Sequence, residues 1–208
     1  KYMAVDGKDA QTTGTILVPD NINVLVNAKF DKVKYTNLEF TNMSGDMNIV
    51  NHEITMSDVK TDLLGGKVSF DGFYRTNSAE PEYSIKLDLA NLKMQEAYQK
   101  FVTMQALAPV SKFVNGVFNT TLVMDGKLGT DMTPHFSSLN ASGFIETISS
   151  VMSELKILDV LSDKLGLDNL KNINLDNTKN WFEIKQGYVE LKEKLFEVKD
   201  IGIKISGK

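Results

Sequence analysis

The sequence predicts an α+β fold: a large, strongly curved and mainly antiparallel β-sheet, with two helical segments packed on its apolar face. Three observations support this prediction. Apolar and polar residues alternate over most of the chain, which is the period of a half-buried strand. The apolar residues change to helical spacing twice, at about 91–115 and 147–171. In addition, one fifteen-residue pattern occurs twice, and each copy predicts a β-hairpin.

The repeated pattern defines two strand pairs. Residues 45–59 (GDMNIVNHEITMSDV) align without a gap with residues 187–201 (GYVELKEKLFEVKDI). In both copies apolar residues occupy every second position on either side of three or four polar residues, which predicts a hairpin with one apolar face. Fifteen residues can also match by chance, so two unrelated hairpins are the alternative.

The remaining strands follow from alternation and turn residues. Residues 1–15 are polar and aperiodic and predict a lead-in segment, so a single β-rich domain is expected over residues 16–208. A change of phase at Thr36 and Asn37 predicts a β-bulge that turns the sheet. The glycines at 65–66 predict a tight turn or another bulge. Further strands are predicted at 67–72, 83–89, 117–128, 139–145, 181–185, 188–192 and 196–205.

The two helical segments are predicted to form a lid on the sheet. In the first, Asn91 can cap the N-terminus and Pro109 ends the main helix. In the second, apolar residues at helical spacing lead to Gly166, which predicts the C-terminal end. A stripe at helical spacing is usually ordinary core rather than a ligand site.

Composition excludes several functional classes. The 27 acidic and 23 basic residues are interspersed, so no basic surface is available for nucleic acid. The absence of cysteine excludes disulfides and thiolate sites and leaves the redox compartment open. No apolar run approaches the roughly 18 residues of a membrane span. Because the chain starts at Lys1 without a leader, we expect a processed or excised part of a longer protein, with a cytosolic protein as the alternative.

No catalytic or cofactor motif is found, and the sequence predicts neither an enzyme nor a cofactor. Every Gly-Lys pair lacks the residues of a phosphate-binding loop, and the GxSxG and HExxH motifs are absent. His52 falls in the first predicted hairpin turn beside Glu53, with Asp46 and Asp58 nearby. A metal site usually needs three rigid ligands, so a solvated turn histidine is favoured there. His135, which has no acidic neighbour in sequence, is predicted to lie at the surface.

Several short motifs, in this order, resemble the AsmA-like family of Gram-negative envelope proteins, specifically its C-terminal region in Bacteroidetes-type members. Each motif combines strand alternation with glycine or a turn residue, and together they cover most of the chain from about residue 16. The motifs lie at 18–22 (VPDNI), 33–35 (VKY), 42–45 (NMSG), 64–72 (LGGKVSFDG), 107–109 (LAP), 116–126 (GVFNTTLVMDG) and 182–189 (FEIKQGYV).

The resemblance implies a non-enzymatic periplasmic protein, held to the inner membrane by an anchor outside this chain. It also implies a role in outer-membrane biogenesis and in lipid transport between membranes through a hydrophobic β-groove. Strands that are apolar on one side only are compatible with this role. They build an apolar sheet face, and such a face, when larger than a few hundred Å², is rarely exposed without a helix, a partner or a ligand packed on it. Lipid acyl chains suit such a groove, at about 0.8 kcal/mol per buried methylene. The candidate groove-lining residues are Val24, Val26, Val68, Phe70, Ile85, Leu87, Phe182, Ile184, Val189 and Leu191.

Two alternatives accompany this prediction. The candidate lining residues are equally compatible with ordinary core packed under the two helical segments. The chain as a whole is also compatible with a scaffold that contacts outer-membrane assembly proteins by strand addition at an exposed sheet edge. A continuous apolar groove open at both ends would favour lipid, a sealed core with a free, uncharged edge strand would favour the scaffold, and a polar cleft with converging carboxylates would favour an enzyme.

Overall fold

A computed structural model of the chain describes residues 15–198 and 201–207, and describes side chains over residues 15–190. Almost all of the predicted lead-in segment lies outside this part. The described residues form eleven strands and three short α-helices. The strands are β1 (Asn23–Tyr35), β2 (Leu38–Val50), β3 (Glu53–Leu63), β4 (Gly66–Arg75), β5 (Glu82–Lys93), β6 (Val114–Lys127), β7 (Asn140–Ser153), β8 (Asn172–Asn174), β9 (Thr178–Lys185), β10 (Tyr188–Val198) and β11 (Ile201–Gly207). The α-helices are α1 (Met94–Lys100), α2 (Val102–Leu107) and α3 (Lys156–Leu165).

The strands form one open sheet in the order β1-β2-β3-β4-β5-β6-β7-β9-β10-β11, with β8 paired to β7. Every neighbouring pair is antiparallel. Within the described residues, β1 and β11 each pair with a single strand, so the sheet has two free edges. The predicted large antiparallel sheet is therefore confirmed.

Only the first copy of the repeated pattern is a hairpin. It forms the β2–β3 pair, with its turn at Asn51 and His52. The second predicted hairpin is wrong, because β10 runs without interruption through its predicted turn. The pairing of β10 with β11 shifts between Leu191 and Lys194. The polar residues that resembled a turn are thus accommodated by an irregularity inside one strand.

The predicted bulge at Thr36 and Asn37 is also wrong. These two residues form the tight turn between β1 and β2, and Thr36 has a φ of 50°. β1 and β2 pair in one register along their whole length, without an inserted residue between them. The glycine pair does mark a tight turn as predicted, since Leu64 and Gly65 join β3 to β4 with positive φ angles.

The first helical segment consists of α1, α2 and a 3₁₀ turn at Pro109–Phe113. Asn91 does not cap it: this residue lies within β5, and Lys93 occupies the N-cap position without a side-chain hydrogen bond.

The second segment begins later than predicted, because residues 147–153 belong to β7 and helix starts only at Lys156. Ser149, with a φ of 47°, inserts an extra residue into β7, and the resulting change of phase imitates helical spacing.

Both helical segments leave the same end of the sheet, because β5 and β7 run in the same direction. The core lies at that end. Leu92, Met94, Ala97, Val114 and Phe118 are buried there, together with Leu63 and Val68 of the sheet and with Leu175. Helix α3 contributes no residue to this cluster, and its Ile157 and Leu165 are exposed. The first helical segment therefore covers one end of the apolar face. Towards the opposite end, Tyr74, Tyr83 and Ala141 of the same face are also buried, together with Val18 and Leu139.

Candidate functional site

The register of the sheet separates an apolar face from a polar face. Residues directly opposite each other in an antiparallel pair lie on the same face. One row of such pairs crosses nine strands, roughly 38 Å at the usual strand spacing. It consists of Val26, Met47, Met56, Gly72, Ile85, Met124, Ala141, Ile184 and Val189. This row defines the apolar face as a continuous surface.

All ten candidate lining residues fall on this face by register. They lie in pairs on β1, β4, β5, β9 and β10. Further rows of directly opposite residues run beside the first row and contain the other candidates. Phe70, for example, pairs with Leu87, and Phe182 pairs with Leu191. The pairs on β1 and on β10 lie near opposite edges of the sheet. The set is therefore one surface rather than one compact pocket.

Burial divides the candidates into two groups. Val68 is buried, and Phe70 and Leu87 pack against the core under the first helical segment, so these three are core residues. The second group lies outside that core: Val24 is 40% exposed, and Val26, Ile85, Phe182, Ile184 and Val189 are half-buried. The side chain of Leu191 lies outside the described part of the chain.

Glycines on the apolar face show how the sheet curves. Gly72 and Gly143 both lie in apolar rows. A methyl group on Gly72 would collide with the carbonyl oxygen of Ser84, and one on Gly143 would collide with that of Thr121. The backbone of the neighbouring strand thus occupies the space that a side chain would need at each position. These close approaches show that the sheet is strongly bent at both positions.

Three of the β-bulges share one hydrogen-bonding arrangement. Asp58, Asn91 and Ser149 each have a positive φ and supply the extra residue of a strand. A side-chain oxygen from a neighbouring segment accepts the backbone N–H of each one, at 2.6–2.8 Å. The three pairs are Asp58 with Asp71, Asn91 with Asn119, and Ser149 with Asp176. The sequence analysis missed these bulges, although an Asn, Asp or Ser at a break in the alternation is their signal.

The polar face carries ion pairs between neighbouring strands. The Lys32 ammonium lies 2.7 Å from Glu39, and its hydrogen bond lowers the pKa of that carboxyl. Hydrogen bonds from Asn42 and Lys67 lower the pKa of Asp62 in the same way. These charges keep the face solvated and distinguish it from the apolar side.

The two histidines lie in different turns of the sheet. His52 lies in the β2–β3 turn, and its Nδ1 is 2.9 Å from the carbonyl oxygen of Val18. Glu53 beside it forms an ion pair with Arg75. His135 does have an acidic neighbour in space, since its Nδ1 lies 3.3 Å from Glu80. Among the described residues, no group of three or more His, Asp or Glu side chains is arranged to hold a metal ion.

The comparisons with known proteins find no match to this chain, whether to a protein-family model, a curated protein or a solved structure. In the described part of the chain, no helix is long and apolar enough to cross a membrane. The apolar face, its register and its curvature are therefore the observations on which a functional proposal depends.

Proposed function

We propose that this chain is a non-enzymatic, lipid-handling part of an AsmA-like envelope protein, and that its apolar face holds acyl chains during transport between membranes. The observation that supports the proposal is the continuous apolar row across nine strands, most of whose side chains remain half-buried.

The chemistry of the row suits acyl chains. An acyl chain requires apolar area rather than directed hydrogen bonds. Met47, Met56 and Met124 lie in the row, and methionine side chains adapt to ligands of varied shape because they are unbranched and flexible. The row has the length of an extended groove, so several chains can lie side by side or in series.

The cellular setting belongs to the same proposal. The protein faces the periplasm and takes part in outer-membrane biogenesis, and a segment outside this chain anchors it to the inner membrane. Its ligands are phospholipids, and its protein partners are components of outer-membrane assembly.

The test is native mass spectrometry with lipid extraction, on protein expressed in a Gram-negative periplasm. Val26→Asp places a charge on the apolar face of β1, whereas Leu25→Asp places the same charge on the polar face one residue earlier. Leu25 is 77% exposed, so the second variant is a matched control. We expect bound phospholipid in the wild type and the Leu25 variant, and a clear loss in the Val26 variant.

A second variant extends the test to the centre of the row. Ile85→Asp should also lose lipid, with circular dichroism to check that the sheet remains folded. Lipid-free wild-type protein, or equal lipid in the Val26 and Leu25 variants, would overturn the proposal.

The scaffold remains a second candidate because of one observation. β1 is a 13-residue strand without proline, and among the described residues it pairs with β2 alone, which leaves its outer edge available to another strand. The charged residues Lys29, Asp31, Lys32 and Lys34 on this strand count against such an addition. Hydrogen exchange measured with purified outer-membrane assembly proteins distinguishes the two functions. Protection of β1 amides in a lipid-free domain would favour the scaffold, and unchanged exchange would count against it.

A further inference from the structure

The polar face contains a shallow trough of about 730 Å³. One row of directly opposite residues runs along it: Lys60, Ser69, Asp88, Thr121 and Phe144, on five successive strands. Trp181 lies opposite Phe144 on β9 and extends the same row to six strands. The row therefore runs across the strands for roughly 24 Å. This is the shape of a site for a linear ligand.

An aromatic pair forms one end of the row. The rings of Phe144 and Trp181 meet edge to face, with centroids 5.3 Å apart. The Lys179 ammonium lies 3.6 Å from the centroid of the Phe144 ring. Trp181 is nevertheless 52% exposed, on a face where most other residues are charged or small and polar. The same ammonium lies 5.5 Å from the centroid of the Trp181 ring. The contact with Phe144 orients the indole, and its exposed half is available for stacking beside this lysine.

Hydrogen bonds between neighbouring strands orient the polar side chains of the trough. Thr121 Oγ1 donates to Asp88 Oδ1 at 2.5 Å, and Asn119 Nδ2 donates to Glu146 Oε2 at 3.0 Å. Each carboxylate has a second oxygen with which to accept a hydrogen bond from a ligand hydroxyl. The trough thus combines oriented acceptors with an aromatic platform.

The charges of the trough indicate the class of ligand. Two lysines, Lys60 and Lys67, and three carboxylates, Asp62, Asp88 and Glu146, line it. This near balance provides no basic surface for a phosphate backbone. The carboxylates also make it unsuitable for an acyl chain, because their desolvation would be unfavourable. A neutral ligand with many hydroxyls and flat apolar ring faces fits these constraints.

We propose that the trough and Trp181 form a binding site for a neutral linear oligosaccharide. Hydroxyls of the ligand bond to the polar side chains, and one sugar ring stacks on the indole. The site is on the opposite face of the sheet from the proposed lipid groove. The oligosaccharide proposal can therefore be tested independently of the lipid proposal.

Trp181 is the only tryptophan of the chain, so its fluorescence reports on this site alone. The experiment is a fluorescence titration of the whole chain with N-acetylglucosamine, maltose-type and β-glucan oligosaccharides of four to seven units. We expect a saturable change in emission with at least one of these series. Phospholipid vesicles should leave the emission unchanged, because lipid would bind the other face.

Two variants make the test specific. Phe144→Ala removes the support of the indole and should weaken binding about tenfold, the size of one lost aromatic contact. Phe73→Ala is the matched control: Phe73 lies on the same face beneath Arg75, away from the trough, and its removal should leave the affinity unchanged. Absence of saturation with every oligosaccharide, or equal effects of the two variants, would overturn the proposal.

Discussion

At the scale of single residues, the bulges show how a long strand can bend without leaving a backbone group unsatisfied. An extra residue with positive φ turns its N–H away from the ladder, and that group then needs another acceptor. Asp71, Asn119 and Asp176 supply the acceptors. The same solution at three places indicates that the curvature depends on a few side chains.

Asp71→Ala tests this dependence. The substitution removes the acceptor of the Asp58 N–H, 2.7 Å away, and should lower the free energy of unfolding by about 1 kcal/mol. Asp71→Asn keeps an acceptor oxygen and should lower the free energy of unfolding by a smaller amount. Urea denaturation of the two variants measures the difference, and equal losses would show that the bulge does not need the acceptor.

At the scale of elements, glycine in the middle of a strand has a structural purpose in this sheet. Gly143→Ala would push a methyl group into the carbonyl oxygen of Thr121 on β6. We expect a loss of about 1–3 kcal/mol, as for other overpacked sites. Ser142→Ala, on the exposed polar face of the same strand, should have little effect. Thermal unfolding compares them, and similar melting temperatures would contradict the close approach of β6 and β7.

The helices differ in how much of the fold they support. Leu92, at the entrance to α1, is fully buried, so Leu92→Ala should cost about 2–5 kcal/mol. Leu165 in α3 is 57% exposed, and Leu165→Ala should change stability by less than about 0.5 kcal/mol. Urea denaturation of both variants is the measurement. A large effect at Leu165 would mean that α3 packs against the sheet.

Sequence alone predicted the faces of the sheet better than its irregularities. Val24 and Ile184, for example, belong to the same apolar face as predicted, because alternation directly reports side-chain direction. Ser149 shows the limit of that method: one inserted residue shifted the phase, and a strand was predicted as a helix. Ordinary core under the helical segments was an alternative for all ten candidates, but that Val68 would be among the core residues could not be predicted, because this depends on where the first helical segment folds back.

The candidate sites show the same limit. The ten lining residues share a face because of their spacing, but which of them remain accessible is decided by the helices that cover one end. The aromatic pair of Phe144 and Trp181 was not predicted, because the two residues are distant in sequence and meet only through the pairing of β7 with β9.

At the scale of the whole molecule, the protein is a curved sheet with an unequal covering. Its core cluster forms where the first helical segment lies, Tyr74 and Tyr83 of the apolar face are buried at the opposite end, and most of the apolar row is half-buried. Such a surface is rarely left to water. Under the proposed function, acyl chains would complete the covering of this face.

The strand order has a further consequence, for how the chain folds. Along the sheet each strand lies beside the strand that precedes it, except that β9 reaches β7 past the short β8. From β1 to β5 this adjacent pairing requires only short loops to close, whereas residues 94–113 separate β5 from β6 and residues 154–177 separate β7 from β9. Because the pairing follows the order of the chain, the contact order stays low for a β-rich protein. Each strand that emerges from a ribosome or an export channel thus finds its docking edge already in place, so the sheet can be completed from its first strand to its last as the chain arrives.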